Sequence, residues 1–282
     1  MQSRTRQILV LFTTLIFIAG LSAACGDSGD DGENGGNGNN GEAVGAGYTG
    51  CDGLPEVEDM AEGPELDESY LDEGVYEISD IETAARIQNI EVIPGTLRIS
   101  DDAEFESFFD TDNQLECLKL PNLEVVEGSI RGRDRGMVGG AMMPAEITFE
   151  NLTTVEEDFS FAHLEDNLQR INAPALTMTN TETDPSSNSI QGTYFNDNAG
   201  LVEVNLPSLE EAFHLSVQDN PVLETLDVSS LNEVGSVGWV RIKKNPSFSS
   251  CDAQDIAETA GISGRIQICE NYDDGCDESC DD

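Results

Sequence analysis

Positive charge, histidine and tryptophan are all scarce in this chain. Its 282 residues include 13 Lys and Arg, two His and one Trp, against 56 Asp and Glu, and the formal net charge at pH 7 is -43. A surface this negative repels phosphate groups, so nucleic acid is excluded as an expected partner. A high-salt habitat explains the acidic balance more simply than a specific cation site does, and no metal is predicted.

The motifs of common enzyme classes are also missing. His163 and His214 lie in different repeats of the chain, and neither neighbours a candidate nucleophile, so a histidine-based triad is not expected. The chain has no phosphate-binding loop and no dinucleotide fingerprint, so no cofactor is expected. A glycoside hydrolase is a distant alternative, because chance carboxylate pairs are expected among 56 acids. We therefore predict that the protein is not an enzyme.

One long hydrophobic run lies near the start of the chain. Two arginines precede the apolar stretch Ile8–Leu21, and small residues then lead to Cys25. The run is short for a membrane span, so residues 1–24 are predicted to be a signal peptide. The ending Ser-Ala-Ala-Cys resembles the lipobox of bacterial lipoproteins, which implies that Cys25 carries acyl chains such as palmitate. Ordinary cleavage before a free Cys25 is the alternative.

The segment after this cysteine is poor in apolar residues. Residues 26–47 are almost wholly Gly, Asp, Glu and Asn, which cannot offset the entropy of ordering. We predict that residues 25–50 form a flexible tether with a reach of ~26 Å. It precedes an L-domain-like solenoid over residues 51–282, which includes an acidic tail.

The cysteine count agrees with export from the cytoplasm. Six cysteines remain once Cys25 is set aside, and outside the cytoplasm they predict three disulfides of undetermined connectivity. A zinc site at Cys276 and Cys280 is the competing interpretation, but no CxxC pair or nearby His supports it. The disulfide candidates are Cys51, Cys117, Cys251, Cys269, Cys276 and Cys280.

The folded region is built on one repeated apolar pattern. Its spacing, apolar-x-x-apolar-x-apolar-x-x-apolar, is clearest at Leu223, Leu226, Val228 and Leu231. Recurrence every 22 to 33 residues, about one solenoid turn, predicts units that bury their apolar faces only by stacking. Copies or partial copies start at Leu115, Ile147, Leu168 and Leu201.

Short elements are predicted at both ends of the array. Val75–Ile78 is a possible strand, and a capping box at Ser79 predicts a helix from there to about Ile87. A helix over about 252–259 and a strand over 265–269 are predicted to close the far end, with Cys251 bonded to Cys269 or Cys276. The residues from Asn271 onward are predicted to be a solvated tail held only by its cysteines.

Asparagines recur after the strands, and three loops interrupt the rhythm. Asn198, Asn220 and Asn245, with Asp102 in the same place early on, are predicted to form a structural ladder, because such side chains satisfy turn backbone groups. The loops are predicted over about 103–114, 132–146 and 178–190. The basic, Gly-rich middle loop is interpreted as a disordered insertion, with a partner contact as the alternative.

These positions resemble a known family. The run Ile90-x-x-Ile93-x-Gly95-x-Leu97-x-Ile99, with Leu-Pro-x-Leu at Leu120–Leu123 and Leu206–Leu209, is similar to the receptor L domain over about residues 75–270. That family includes the ligand-binding L domains of insulin-type and epidermal-growth-factor-type receptors, and similar modules occur in bacterial surface lipoproteins. The resemblance implies a mainly β, right-handed, leucine-rich-repeat-like β-solenoid with short capping helices and no enzyme activity. It transfers no ligand contacts.

One sheet face departs from the acidic average. Alternation along the strands predicts an outward middle column of Arg98, Arg131, Ser160, Tyr194, Ser216 and Arg241. One flank holds Thr96, Ser129, Asp158, Gly192, His214 and Trp239, and the other holds Ser100, Arg133, Ala162, Asn196, Gln218 and Lys243. Arg, Tyr and Trp carry much of the energy of interfaces, so Arg98, Arg131, Tyr194, His214, Trp239 and Arg241 are the candidate ligand-binding residues. A neutral sheet that avoids like-charge pairs is the alternative.

Two functions from different classes follow from these patterns. We expect a lipid-anchored envelope protein that presents a non-catalytic binding solenoid to an unidentified protein or glycan. A structural envelope or coat component without a specific ligand is the alternative. The expected location is the bacterial cell envelope, where the N-terminal lipid anchors the protein. The outer membrane or the cell surface is expected rather than the inner membrane.

Overall fold

The computed structural model describes residues 74–78, 81–100, 117–133, 143–164, 167–179, 192–235, 238–261 and 265–276, all within one compact unit, Ala43–Asp282. They form a mainly β fold with two short helices. In chain order the elements are β1 (Val75–Ile78), α1 (Ile81–Ile87), β2 (Val92–Ile93), β3 (Thr96–Ser100), β4 (Cys117–Lys119), β5 (Val125–Val126), β6 (Ile130–Arg133), β7 (Glu146–Thr148), β8 (Thr154–Val155), β9 (Phe159–Ala162), β10 (Arg170–Asn172), β11 (Met178–Thr179), β12 (Thr193–Asn196), β13 (Glu203–Asn205), β14 (Glu211–Ala212), β15 (Leu215–Gln218), β16 (Thr225–Asp227), β17 (Glu233–Val234), β18 (Trp239–Lys243), α2 (Ser250–Thr259) and β19 (Arg265–Cys269).

The strands build three parallel sheets. The eight-stranded sheet has the order β1-β3-β6-β9-β12-β15-β18-β19, the five-stranded sheet β16-β13-β10-β7-β4, and the six-stranded sheet β17-β14-β11-β8-β5-β2. From β4 to β18, each turn of the chain adds one strand to each sheet in the same order. The predicted mainly β, parallel-stranded solenoid is therefore confirmed.

The core is the stack of the repeated apolar positions. The described repeat positions are all buried, and so are the side chains that alternate with the outward column from β3 to β18 of the eight-stranded sheet, such as Leu97, Ile130 and Val217. Phe159, Phe161 and Phe195 pack together there, with ring centroids 5.4 to 6.3 Å apart. Gly132 occupies an inward position beside Phe161, and a Cβ at Gly132 would lie 2.3 Å from that ring, so a larger residue would displace it.

The asparagine ladder is confirmed, and it is one turn longer than predicted. The amide of Asn220 donates to the Phe195 carbonyl (2.8 Å), and its side-chain oxygen accepts from the Asn198 N–H (3.1 Å). Asn198, Asn245 and Asn271 make the same two kinds of bond. The residue before each ladder asparagine has a positive φ of 55 to 58°, and these residues are Asp197, Asp219, Lys244 and Glu270.

The ladder corrects the prediction that the tail from Asn271 is held only by its cysteines. Residues 272–275 are exposed, as expected of a solvated segment, and residues 277–282 lie outside the described part of the chain. Asn271 is buried, and its side chain binds the backbone of β18 through Ile242 and that of Asn245. Asp274 accepts hydrogen bonds from Ser249 and from the Cys251 N–H. Residues 271–276 are thus held by hydrogen bonds that continue the repeat, because the Ile242 carbonyl of β18 and the N–H of Asn245 need partners, as the corresponding groups of the earlier turns do.

Helices stand at both ends of the array. α1 takes the place in the chain where each later turn has a strand of the five-stranded sheet, and its Ala84 and Ala85 are fully buried. α2 begins two residues earlier than predicted, with Ser249 as its N-cap accepting from the Asp252 N–H (2.9 Å). Cys251 is bonded to Cys276, which is one of its two predicted partners. Cys117 and Cys269 each belong to a disulfide of their own.

Several predictions fall outside the described residues. These are the signal peptide, Cys25, the tether, the capping side chain of Ser79, Asp102 and most of the three predicted loops. The predicted loop bounds were too wide, since residues 132–133 belong to β6, Glu146 to β7, and residues 178–179 to β11. Neither described helix is long and apolar enough to cross a membrane.

Candidate ligand-binding face

The outward middle column of the eight-stranded sheet follows the predicted register. Strand pairing places Arg98, Arg131, Ser160, Tyr194, Ser216 and Arg241 side by side on β3, β6, β9, β12, β15 and β18. The edge strands β1 and β19 add Glu77 and Gln267 at the two ends of this column. The column predicted from the sequence did not include these two residues.

A groove runs across this face and gathers most of the candidate residues. Its volume is about 450 Å³, and Arg131, Tyr194, Trp239 and Arg241 line it. His214 does not line it but packs against Trp239. Arg98 lies one strand beyond Arg131 and is not part of the groove. The remaining lining residues are Gly132, Asp158, Ser160, Ala162, His163, Asn196, Ser216 and Gln218.

Large and small side chains alternate along the floor of the groove. The order across five neighbouring strands is Arg131, Ser160, Tyr194, Ser216, Arg241. Neighbouring strands lie about 4.8 Å apart, so the two arginines are separated by about 19 Å at the backbone, with Tyr194 midway. The two serines therefore mark two narrow slots, one on each side of the tyrosine, and neighbouring side chains close over the one at Ser216, which is 1% exposed.

The slot over Ser216 has an aromatic wall. The His214 and Trp239 rings stack with centroids 3.6 Å apart, and the Arg241 guanidinium lies 5.2 Å from the indole centroid. The backbone N–H of Trp239 donates to Nδ1 of His214 (3.1 Å). Gly192 makes room for this stack, because a Cβ there would lie 2.7 Å from the Cβ of His214.

His214 is neutral in this position at ordinary pH. Burial, and to a lesser extent the charge of Arg241, lowers its pKa to about 4. Its Nδ1 atom accepts a hydrogen bond and so carries no proton. The ring thus acts as a flat, uncharged support for the indole rather than as a cation.

The slot over Ser160 carries a paired charge. Arg131 binds Asp158 at 2.7 Å, and the carboxylate also accepts from the Gly192 N–H (3.0 Å). Burial raises the pKa of Asp158, while these two partners oppose the rise. Asp158 is the one acidic residue that lines the groove, so the described groove offers no carboxylate pair for hydrolysis.

Two buried donors in the groove lack hydrogen-bond partners among the described residues. They are the phenol of Tyr194 and the indole Nε1–H of Trp239. Burial, together with the charge of Asp158, raises the pKa of Tyr194 well above its usual range, so the phenol keeps its proton. A buried polar group without a partner costs about 1–3 kcal/mol. Native proteins retain few such groups, and each one calls for an explanation such as a bound water, an ion or a functional role.

The floor of the Ser216 slot is ordered by hydrogen bonds. The Ser216 hydroxyl donates to the Asn196 side-chain oxygen (3.1 Å) and accepts from the Gln218 amide. Arg241 Nε donates to Gln267 Oε1 (2.6 Å), which fixes the base of that guanidinium. From the sequence, Asn196 and Gln218 were predicted only as flank residues. The alternation along a strand predicts where a side chain lies on the face, but not which hydrogen bonds it makes.

Metal-ligand side chains converge at one place in the described region, outside the groove. They are Cys251, Asp274 and Cys276, but the two cysteines are joined in a disulfide and offer no thiolate pair.

No family model, no curated protein and no solved structure matches this chain.

Proposed function

We propose that this protein is a non-catalytic binding module whose ligand sits in the groove on the eight-stranded sheet. The observation that carries the proposal is the pair of buried, unpartnered donors, Tyr194 and Trp239, which both line one groove. Two unmet donors in one small groove have a physical use if a ligand supplies the acceptor. A coat component without a ligand gives no reason to retain that cost.

The proposal includes the finer fold assignment and the anchor. A right-handed solenoid of the receptor L-domain type is supported by the repeat pattern and by the strong preference of parallel crossover connections for the right hand. Acylation of Cys25 and a place at the bacterial cell envelope are supported by the lipobox-like ending and the polar segment that follows it. Mass spectrometry of the mature N-terminus tests the anchor, and an unmodified Cys25 would contradict it.

A capture experiment tests the binding role. The exported protein is immobilised, and the molecules retained from an envelope extract are compared with those retained by Arg131→Glu/Arg241→Glu. A control variant, Lys119→Glu/Arg170→Glu, makes the same charge change on the five-stranded sheet. We expect a component that the control retains and the groove variant loses. Equal retention by all three proteins would contradict a groove ligand.

A further inference from the structure

We propose that the groove binds an acidic saccharide, with a carboxylate or sulfate group held in the slot over Ser216. This inference rests on the proposed binding function and adds the chemical class of the ligand. Its basis is the donor set of that slot, the make-up of the groove lining and the charge of the whole chain.

The slot over Ser216 is bordered by hydrogen-bond donors, and the Arg241 guanidinium is the charged group among them. The Arg241 guanidinium lies 5.2 Å from the Trp239 indole centroid, and Tyr194 stands on the strand on the other side of Ser216. All three residues line the groove. The phenol keeps its proton because its pKa is raised, and His214 is neutral because its pKa is lowered to about 4. A guanidinium with neutral O–H and N–H donors suits an acceptor-rich anion such as carboxylate or sulfate.

The two aromatic donors are covered by neighbouring side chains. Each has a buried polar atom, so an acceptor reaches it only when a neighbouring side chain moves. Arg241 is the long side chain beside the indole, and it is tied at Nε to Gln267. A ligand anion that draws the guanidinium outward opens the slot and at the same time supplies the missing acceptor.

The lining of the groove favours a sugar over a peptide. It contains no Leu, Ile, Val, Met or Phe among its described residues, whereas the cores of protein interfaces are apolar. The strand backbones below it are already paired in the sheet, so a peptide cannot add as another strand on this face. Hydroxyl, amide and aromatic side chains remain, and these suit a ligand rich in hydroxyl groups.

The charge distribution favours an acidic sugar over a neutral one. The chain carries a formal net charge of -43, yet the groove is lined by Arg131 and Arg241 against the single acid Asp158. Asp158 neutralises Arg131 at 2.7 Å, which leaves the cationic character of the groove at the Arg241 end. The slot over Ser160, where the Asp158 carboxylate is paired with Arg131, is then a polar subsite for the hydroxyl groups of a neighbouring sugar.

A panel of defined oligosaccharides tests the inference. The exported protein is titrated calorimetrically with uronate-bearing, sialylated and sulfated oligosaccharides, and with carboxyl-methylated or desulfated counterparts as matched neutral ligands. We expect at least one acidic member to bind and its neutral counterpart to bind at least ten-fold more weakly. Arg241→Gln should weaken the acidic ligand by about ten-fold or more, since it removes charge-assisted hydrogen bonds. Arg170→Gln, on the five-stranded sheet, should bind like the wild type.

The other outcomes separate this inference from the proposed function. Equal binding of acidic and neutral partners, or an Arg241→Gln variant of unchanged affinity, overturns the acidic class. If no saccharide binds while the envelope capture still depends on Arg131 and Arg241, the ligand is of another class and the binding function stands. If both experiments show nothing that depends on the groove, both proposals fail.

Discussion

Replacing Tyr194 with phenylalanine should stabilise the free protein and weaken its ligand binding at the same time. The Tyr194 oxygen is buried without a hydrogen-bond partner among the described residues, and removing such a group recovers about 1–3 kcal/mol. The ring keeps its place between Ser160 and Ser216, so little packing is lost. Most substitutions at a half-buried aromatic residue destabilise, so a gain in stability is a distinctive expectation.

Thermal and urea unfolding of the exported protein measure the stability change. For a folded unit of this size, 1 kcal/mol corresponds to a shift in Tm of about 2–4 °C, so we expect a rise of at least about 2 °C. Tyr272→Phe is the matched control, because Tyr272 is 57% exposed and its change should stay within about 0.5 kcal/mol. A Tyr194→Phe variant less stable than the wild type would mean that the phenol is satisfied inside the protein. The main observation behind the groove would then be lost.

Three further perturbations test the ladder, the stacked histidine and the C-terminal disulfide. Asn220→Ala leaves the buried Phe195 carbonyl and Asn198 N–H without their partner, so urea unfolding should show a loss of about 2–6 kcal/mol, against little change for the exposed Asn122→Ala. The pKa of His214 is about 4 when folded and about 6.5 when unfolded, so its contribution is complete above pH 6.5 and is lost as the pH falls toward 4. Wild type should lose on the order of 2 kcal/mol more than His214→Gln between pH 7 and pH 5, and parallel stability curves would contradict the buried neutral ring. Cys251→Ser/Cys276→Ser opens a bridge with a sequence separation of 25, which should cost about 3 kcal/mol in urea, and an unchanged midpoint would count against a closed disulfide.

The sequence alone was sufficient to predict the solenoid and the register of its main sheet. Apolar spacing forces the same side of each turn inward, and a register slip of one residue would have moved Phe159, Phe161 and Phe195 out of the core. That constraint explains why Arg131, Tyr194 and Arg241 fall in one outward column, as expected.

The shape of the candidate site could not be predicted from the same pattern. A column gives the order of side chains but not how far each leans, so it places Arg98 on the face correctly but does not show that the groove ends before Arg98. His214 was expected to face a ligand, yet it is 4% exposed and supports Trp239 instead. Asp158 was predicted only as a flank residue of the face, and its bonds to Arg131 and Gly192 depend on neighbouring strands.

The tail was misjudged because composition was given more weight than the repeat. Residues after Asn271 are acidic, which is typical of solvated segments, but Asn271 itself stands where the next ladder residue is due. Continuing the asparagine spacing by one more turn would have placed it correctly. The Ile242 carbonyl and the Asn245 N–H, at the end of β18, need partners whether or not the chain goes on to form another repeat.

Trp239 makes the most direct test of the groove possible, since it is the one tryptophan of the chain and lies on the groove wall. The intrinsic fluorescence of the exported protein is followed while the ligand found by capture or by the saccharide panel is added. Occupancy of the slot over Ser216 should change the tryptophan emission saturably, with the midpoint that calorimetry gives, and Arg241→Gln should shift both midpoints together. A ligand that binds by calorimetry and leaves the emission of Trp239 unchanged would show that the binding site lies elsewhere on the protein.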